Sequence, residues 1–318
     1  MTKKFFRVGF LSLLSLLFNI AHAQVPNFLP DTVTTYAIMG TTANVKEPIT
    51  REVYSYNSSN QPLEKWMFQW NRETKKWDQK IRFSLQYFPL EIVIDKFVTE
   101  GKSQELQVQR RSIQLDSFKH IITATYLDKD RYSSQFEIRE KYDYTYNKDT
   151  LVQIVKFAKK AIMMKDRETK YAWVKGNLSE NTSIYKDAGD KESNQLTLHS
   201  YNKGLLVKSL SAGSSDIKIK WKDSLEYTDG MVSTVTKSRV SKLPNSSKND
   251  ILQEPIQKTK VVYDKKGVLV TFTSTKLSSK GEVITNPENR IYEYKLNPKR
   301  PPVKSRVNQV QLIDFLRD

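Results

Sequence analysis

Apolar and polar residues alternate with period two from about Glu52 to Tyr294, broken by turn-forming residues every ten to fifteen positions. Tyr54 and Tyr56 alternate with Val53, Ser55 and Asn57. In Ile217-Lys218-Ile219-Lys220-Trp221-Lys222 every apolar residue falls on one side and every lysine on the other. Between Gln135 and Tyr146, one strand face collects Phe136, Ile138, Glu140, Tyr142, Tyr144 and Tyr146. Such alternation predicts antiparallel strands with one covered and one wet face. Helical periodicity is scarce: Gln153 to Lys165 is compatible with a helix, but Leu151, Val152, Ile154, Val155 and Phe157 favour a strand. Val307, Val310, Ile313 and Leu316 suggest a short closing helix or strand. Polar, turn-rich stretches predict loops at Asn27–Lys46, Asn177–Asn194 and Ser238–Pro255.

The predicted fold is all-β: an antiparallel meander of consecutive hairpins forming a large curled sheet or an open, barrel-like sheet. Residues 24–50 form a lead-in segment and 51–296 the hairpin domain, with 240–255 as its one candidate break. Residues 297–318 are a basic, proline-rich stretch and a closing element.

A hairpin signature recurs within that domain. An aromatic ends one strand, Asn or Asp and one or two turn residues follow, often with Gly, and an aliphatic pair opens the next. Its fullest copy is Tyr263-Asp264-Lys265-Lys266-Gly267-Val268-Leu269-Val270. Tyr201-Asn202-Lys203-Gly204-Leu205-Leu206-Val207 is shorter, and Tyr146-Asn147-Lys148-Asp149-Thr150-Leu151-Val152 lacks the glycine. Looser copies begin at Tyr56 and Tyr227. Asn and Asp tolerate left-handed backbone, Gly supplies positive φ, and the flanking residues pair across the hairpin. The signature resembles the YD repeats of RHS-type secreted bacterial proteins. That resemblance implies hairpins laid side by side into a long curled sheet, in proteins exported to or beyond the cell envelope.

The first 23 residues change the picture of where the chain works. Lys3, Lys4 and Arg7 precede the apolar run Val8–Ile20, and Ala21-His22-Ala23 has the small-x-small form of a signal-peptidase site, predicting Gln24 as the new N-terminus. The run would extend roughly 20 Å as a helix, against a bilayer core of ~30 Å, and the mature chain holds no other candidate transmembrane helix. The expected location is secreted or periplasmic, with association at the cell surface left open. About 295 residues remain, with 16 Tyr, 14 Phe and 5 Trp in the whole chain, enough to build a core without disulfides. Cys is absent, which excludes thiol nucleophiles and Cys-based zinc sites. Net charge is +17, or +14 once the three charges of the leader are removed. Anionic partners follow: envelope polysaccharide, lipid head groups or another envelope protein, with only non-specific binding to nucleic acid. The densest basic run contains Lys299, Arg300, Lys304 and Arg306, the candidate anion-binding residues.

Candidate chemistry is sparse. His120 and His199 are the histidines of the mature chain, and a Ser–His pair would need one of them aimed by a carboxylate. There is no Gly-x-Ser-x-Gly elbow; Ser211-Ala212-Gly213-Ser214-Ser215 has a single glycine. No His-x-x-x-His pair supports zinc, and no cofactor motif is present. Paired carboxylates could be drawn from Asp128, Asp130, Glu137, Glu140 and Asp143. Glu140 alone alternates with apolar residues, making it the candidate for an acid with a raised pKa. Trp66, Phe68, Trp70 and Trp77 fall on two strands about the turn Asn71–Lys76. They are expected in the core and, if exposed, would form a sugar-stacking platform. Three functions are therefore weighed. The first is a non-enzymatic exported β-sheet protein that binds or scaffolds an envelope component. The others are a carbohydrate-binding module using the aromatic hairpin and a polysaccharide hydrolase using carboxylates.

Overall fold

The computed structural model describes residues 30–40, 45–100, 104–130, 133–159, 162–186, 192–213, 219–242, 251–265 and 269–296. Eighteen strands run in chain order: β1 (Pro30–Ile38), β2 (Lys46–Tyr56), β3 (Pro62–Asn71), β4 (Lys76–Phe88), β5 (Glu91–Glu100), β6 (Gln104–Leu115), β7 (Ile121–Lys129), β8 (Phe136–Asn147) and β9 (Thr150–Lys159). They continue as β10 (Met163–Val174), β11 (Asn177–Lys186), β12 (Glu192–Asn202), β13 (Leu205–Gly213), β14 (Ile219–Thr228), β15 (Met231–Lys242), β16 (Ile251–Tyr263), β17 (Leu269–Lys276) and β18 (Arg290–Leu296). Each pairs antiparallel with its neighbours in sequence. β18 then pairs with β1, from Pro30 opposite Leu296 to Ala37 opposite Arg290. The sheet is a closed barrel.

The meander is as predicted, with three differences in detail. The sheet closes instead of ending in open edges. The lead-in segment 24–50 contributes β1, the strand that closes it. Asn177–Asn194 is not a loop: β11 and the start of β12 occupy it, with only 187–191 between them. Its polar sequence misled because the inner face here is itself polar, with Asn181, Ser183, Gln195 and Thr197. The stretch 153–165 holds the strand its aliphatic residues favour, the end of β9, followed by the beginning of β10. The leader, the basic run with Lys299, Arg300, Lys304 and Arg306, and the C-terminal element lie outside the described residues.

Antiparallel connection places alternate turns at opposite rims. Turns from even to odd strands are tight. Lys175-Gly176, Lys203-Gly204 and Asp229-Gly230 have positive φ at both residues, the type I′ geometry that matches strand twist. The recurring signature has one structural cause. Just before each signature tyrosine the register shifts, so that Tyr56, Tyr146, Tyr201, Tyr227 and Tyr263 oppose Pro62, Leu151, Leu206, Val232 and Leu269, with one extra residue following on the partner strand. These are β-bulges, and they explain why two residues open the next strand: one faces the tyrosine and one takes up the bulge. The hydroxyls reach back to the start of the preceding strand. Tyr56 donates to the Pro30 carbonyl at 2.8 Å, Tyr87 to Pro62 at 2.7 Å, Tyr201 to Leu178 at 2.9 Å and Tyr227 to Leu206 at 2.6 Å. Burial pushes the Tyr227 phenol up to about 12.

Alternation fixes two faces. One carries Val33, Tyr54, Phe83, Leu85, Ile92, Ile94, Ile113, Ile121 and Ala124, and further round Leu206, Leu225, Val232, Val235, Val261 and Phe272, the two clusters meeting at Tyr292 and Tyr294. Phe83, Ile94, Ile113 and Val235 are fully covered, which a water-filled bore would not permit. This face is therefore the interior, packed toward the tight-turn rim. The other face is charged in mid-wall: Arg82 bridges Glu64 and Glu105 at 3.1 and 2.7 Å, Arg110 meets Asp95 at 2.7 Å, and Lys141 meets Asp143 at 3.1 Å. In a bilayer each unpaired mid-wall Arg or Lys would cost about 2–4 kcal/mol.

Each tyrosine hydroxyl should contribute about 0.5–1.5 kcal/mol. Tyr87→Phe and Tyr227→Phe should each lower the unfolding free energy by that amount, read as a lower urea midpoint with an unchanged slope. Because they sit on distant strands, the double variant should lose the sum.

Candidate functional site

The aromatic hairpin assembles as predicted but on the outer wall. Trp66, Phe68 and Trp70 of β3 and Trp77 of β4 share that face, half-buried and not in the core. Trp70 and Trp77 meet edge to face at 5.1 Å, and the Arg51 guanidinium lies 4.4 Å over the Trp77 ring. Arg51 thus occupies a face on which a sugar would stack.

Glu140 does face the interior. Burial pulls its pKa up, but the Tyr142 hydroxyl, donating at 2.8 Å, and the Lys156 ammonium at 3.3 Å outweigh it and hold the carboxyl below its ordinary range. A raised-pKa acid at this position is thereby corrected to a structural carboxylate. The other carboxylates are equally engaged: Asp128 with Arg139 at 3.6 Å, Glu137 with Lys159 at 2.6 Å, Asp143 with Lys141, and Asp130 accepting from the Ser133 amide at 2.6 Å. His120 is held by Asp116 at 2.9 Å and Asp149 at 3.2 Å and stacks on Tyr146 at 4.8 Å, tying two rim turns together.

The other histidine belongs to the interior. Successive registers place His199 (β12) opposite Ser209 (β13), Ser209 opposite Asp223 (β14), Asp223 opposite Lys237 (β15) and Lys237 opposite Gln257 (β16), one continuous row round the inner wall. A parallel row toward the long-loop rim holds Asn181, Thr197, Ser211, Trp221 and Arg239. Thr259 opposes Val235 on the other side. His199 Nδ1 and Ser209 Oγ are 2.9 Å apart, as the buried Ser209 requires, and burial lowers the imidazole pKa, keeping it neutral at pH 7. Burial pushes the Asp223 carboxyl up to about 6, against the opposing pull of Lys237. Burial likewise lowers Lys237, with Asp223 resisting and Lys276 adding to the shift. The Lys237 ammonium and the Arg239 guanidinium lie 5.3 and 5.6 Å from the Trp221 ring.

Four buried atoms on this wall have no hydrogen-bond partner: Asn181 Oδ1, His199 Nε2, Asp223 Oδ1 and the hydroxyl of the fully covered Thr259. Each such group costs about 1–3 kcal/mol unless something polar meets it. Arg239 and Gln195, on the same face, are exposed, so the interior opens to water toward the long-loop rim. The arrangement offers donors and acceptors carrying little net charge. It is not a hydrolytic triad, because Nε2 of His199 meets no carboxylate, while the carboxylate-aimed His120 sits at the rim. Among the described residues no group of three or more His, Asp or Glu is placed to hold a metal.

The sequence reading missed this wall, although a signal was present. Asp223, Lys237 and Thr259 lie two positions from the core residues Leu225, Val235 and Val261, in phase with them and therefore on the covered face.

No family model matches the chain, and no curated protein does. Among solved structures, a porin-like protein from Bacteroides uniformis is similar over 86% of this chain and 98% of its own, at 11% identity and a TM-score of 0.45. A porin-like protein from Bacteroides vulgatus covers 86% and 100%, at 12% identity and a TM-score of 0.43. A Bacteroides fragilis protein of unknown function matches 39% of this chain and 92% of its own, at 11% identity and a TM-score of 0.33. The closed barrel stands on its strand registers and not on these likenesses.

A carboxyl whose folded pKa is raised binds more protons folded than unfolded between about pH 4 and pH 6, so stability falls as pH rises through that window. Asp223→Asn should therefore be more stable than the parent above pH 6 by about 1–3 kcal/mol, seen as a higher melting temperature, the loss of Lys237's partner trimming the gain. Below pH 4 the two melting curves should coincide.

Proposed function

We propose that this is an exported, non-enzymatic barrel, working outside the cytoplasm, that binds a polar component of the cell envelope against its inner wall. The observation that carries the reading is the polar row of His199, Ser209, Asp223, Lys237 and Gln257 on one stretch of the inner wall, beside Arg239 and Gln195, which are exposed where the interior opens to water. Such a wall is costly for a protein that only needs to fold and useful for one that hydrogen-bonds a guest. A neutral imidazole, a carboxyl titrating near pH 6 and a row of hydroxyl and amide groups suit a hydroxyl-rich partner, which favours envelope polysaccharide. The charged outer wall supports a barrel in solution or resting against a surface over one that conducts across a membrane. The leader supports export. Hydrolysis loses its support with Glu140 held ionised beside Lys156.

Binding of neutral and acidic oligosaccharides released from envelope polysaccharide, measured calorimetrically on the mature chain, tests this. At least one should bind, with Trp221 emission changing on saturation. Arg239→Ala and Gln195→Ala should each weaken binding about ten-fold, one hydrogen bond's worth. Thr259→Val, at a hydroxyl the guest cannot reach, should raise the melting temperature of the unliganded protein and leave binding unchanged. Absence of any binding, or binding abolished by Trp70→Ala but indifferent to the wall variants, would overturn the inner-wall reading, the latter in favour of the outer aromatic hairpin.

A further inference from the structure

The tight-turn rim carries two features that neither folding nor the inner wall requires. The first is uncovered apolar surface on neighbouring hairpins. Phe88 and Leu90 stand at the β4–β5 turn, Phe118 at β6–β7 and Val174 at β10–β11, each between 50% and 73% exposed; Trp173 beside Val174 is tied into the fold through its indole N–H, which donates to the Leu151 carbonyl at 2.9 Å. They lie on one arc of the rim, since β4 through β11 are consecutive in the wall.

The second is the choice of residue at the left-handed turn positions. Lys119, Lys148, Lys175 and Lys203 all have positive φ, between 49° and 70°. Asn, Asp and Gly adopt this backbone readily, whereas other side chains give up about 1–2 kcal/mol. Elsewhere on the same rim the corresponding positions are Asn60 and Asp229, the residues turn physics favours. On the arc from β4 to β13 a less favourable residue is therefore used four times, and each time it is a cation at a turn tip. The carboxylates of those turns, Asp116 and Asp149, are both engaged by His120.

Lysines on flexible stems interleaved with exposed aromatic and aliphatic side chains, in one plane at the end of a rigid barrel, match the chemistry of an anionic lipid interface. We propose that this arc seats the barrel on an anionic bilayer surface. The ammonium groups of Lys148, Lys175 and Lys203 meet head-group phosphates, Lys119 being tied to the Pro89 carbonyl, and Phe88, Leu90, Phe118 and Val174 enter the interfacial layer. The barrel then stands on its tight turns, and the opening of the polar inner wall at the opposite rim points away from the lipid. The proposal does not depend on what the inner wall binds.

Sedimentation of the mature chain with vesicles of 70% phosphatidylcholine and 30% phosphatidylglycerol, against phosphatidylcholine alone in 0.1 M salt, tests it. Binding should be confined to the anionic vesicles and weaken steeply with salt. Lys148→Asn/Lys175→Asn/Lys203→Asn should reduce partitioning on the order of a hundred-fold, about five-fold per lysine. Asparagine suits left-handed backbone, so this variant should melt no lower than the parent, and lost binding cannot be blamed on lost folding. Lys75→Asn, at an equivalent left-handed position on the opposite rim, should leave partitioning unchanged. Phe118→Ser should reduce it at least five-fold. Equal binding to uncharged vesicles, no binding to either, or a Lys75→Asn effect matching the triple variant would overturn the proposal. So would self-association in the absence of lipid that Phe118→Ser abolishes, because the arc would then be an interface between copies.

Discussion

The pairing of β1 with β18 is the contact on which the rest of the molecule depends. A meander of seventeen turns without it would be a long sheet with two unpaired edges, each a template for aggregation. With it, every strand has a partner on both sides, and the two faces of the sheet become an inside and an outside. Only then does the period-two alternation acquire consequences. Phe83 and Val235 can be fully covered because the wall curves around them, and Arg82 and Arg110 lie outside because it curves away.

Within that enclosure the two rims serve different needs. The tight-turn half is a core of aliphatic residues and tyrosines that also holds the buried cations Lys65 and Arg111 over the Phe83 ring. The recurring bulge turns each signature tyrosine inward, and four tyrosine hydroxyls end on a carbonyl at the start of the preceding strand, beyond the reach of the regular ladder. One local device repeated round the rim thus sets register, fills space and satisfies backbone. The other half of the interior is polar, and its unpartnered atoms make it less stable than an apolar lining of the same shape would be. Costs of this kind are concentrated at functional sites in natural proteins.

Electrostatics are arranged in the same spirit. On the outer wall, cations and carboxylates pair at close range, as Lys141 and Asp143 do, and cost little where water reaches them, whereas Asp95 is buried and held by Arg110. Along the inner polar row burial outweighs pairing: Asp223 rises to about 6 and His199 is pushed toward neutrality. Elsewhere inside, charge is kept in pairs: Tyr142 and Lys156 hold Glu140 ionised, and the buried Lys65 meets Glu52 at 3.2 Å.

Much of this was legible in the chain. Alternation in Ile219–Trp221 or Tyr54–Tyr56 gives strand and facing, because side-chain direction in an extended chain depends only on parity. Tyr201-Asn202-Lys203-Gly204 gives the turn, because left-handed φ is a local property of those residues. Three things were not legible, and all depend on distant partners. Closure joins residues 30–37 to 290–296, and nothing near Pro30 announces Leu296. The polar row of His199, Ser209, Asp223, Lys237 and Gln257 is spread over five strands, and registers set by bulges bring it together. The environment of Trp77 was decided by Arg51, a cation from two strands away that lies over its ring. The sequence by itself determined strands, turns and the parity of each side chain, since these follow from backbone sterics over a few residues. Only the tertiary structure decided which parity is the interior and which polar groups meet there, because both require a sheet that has already curved and closed.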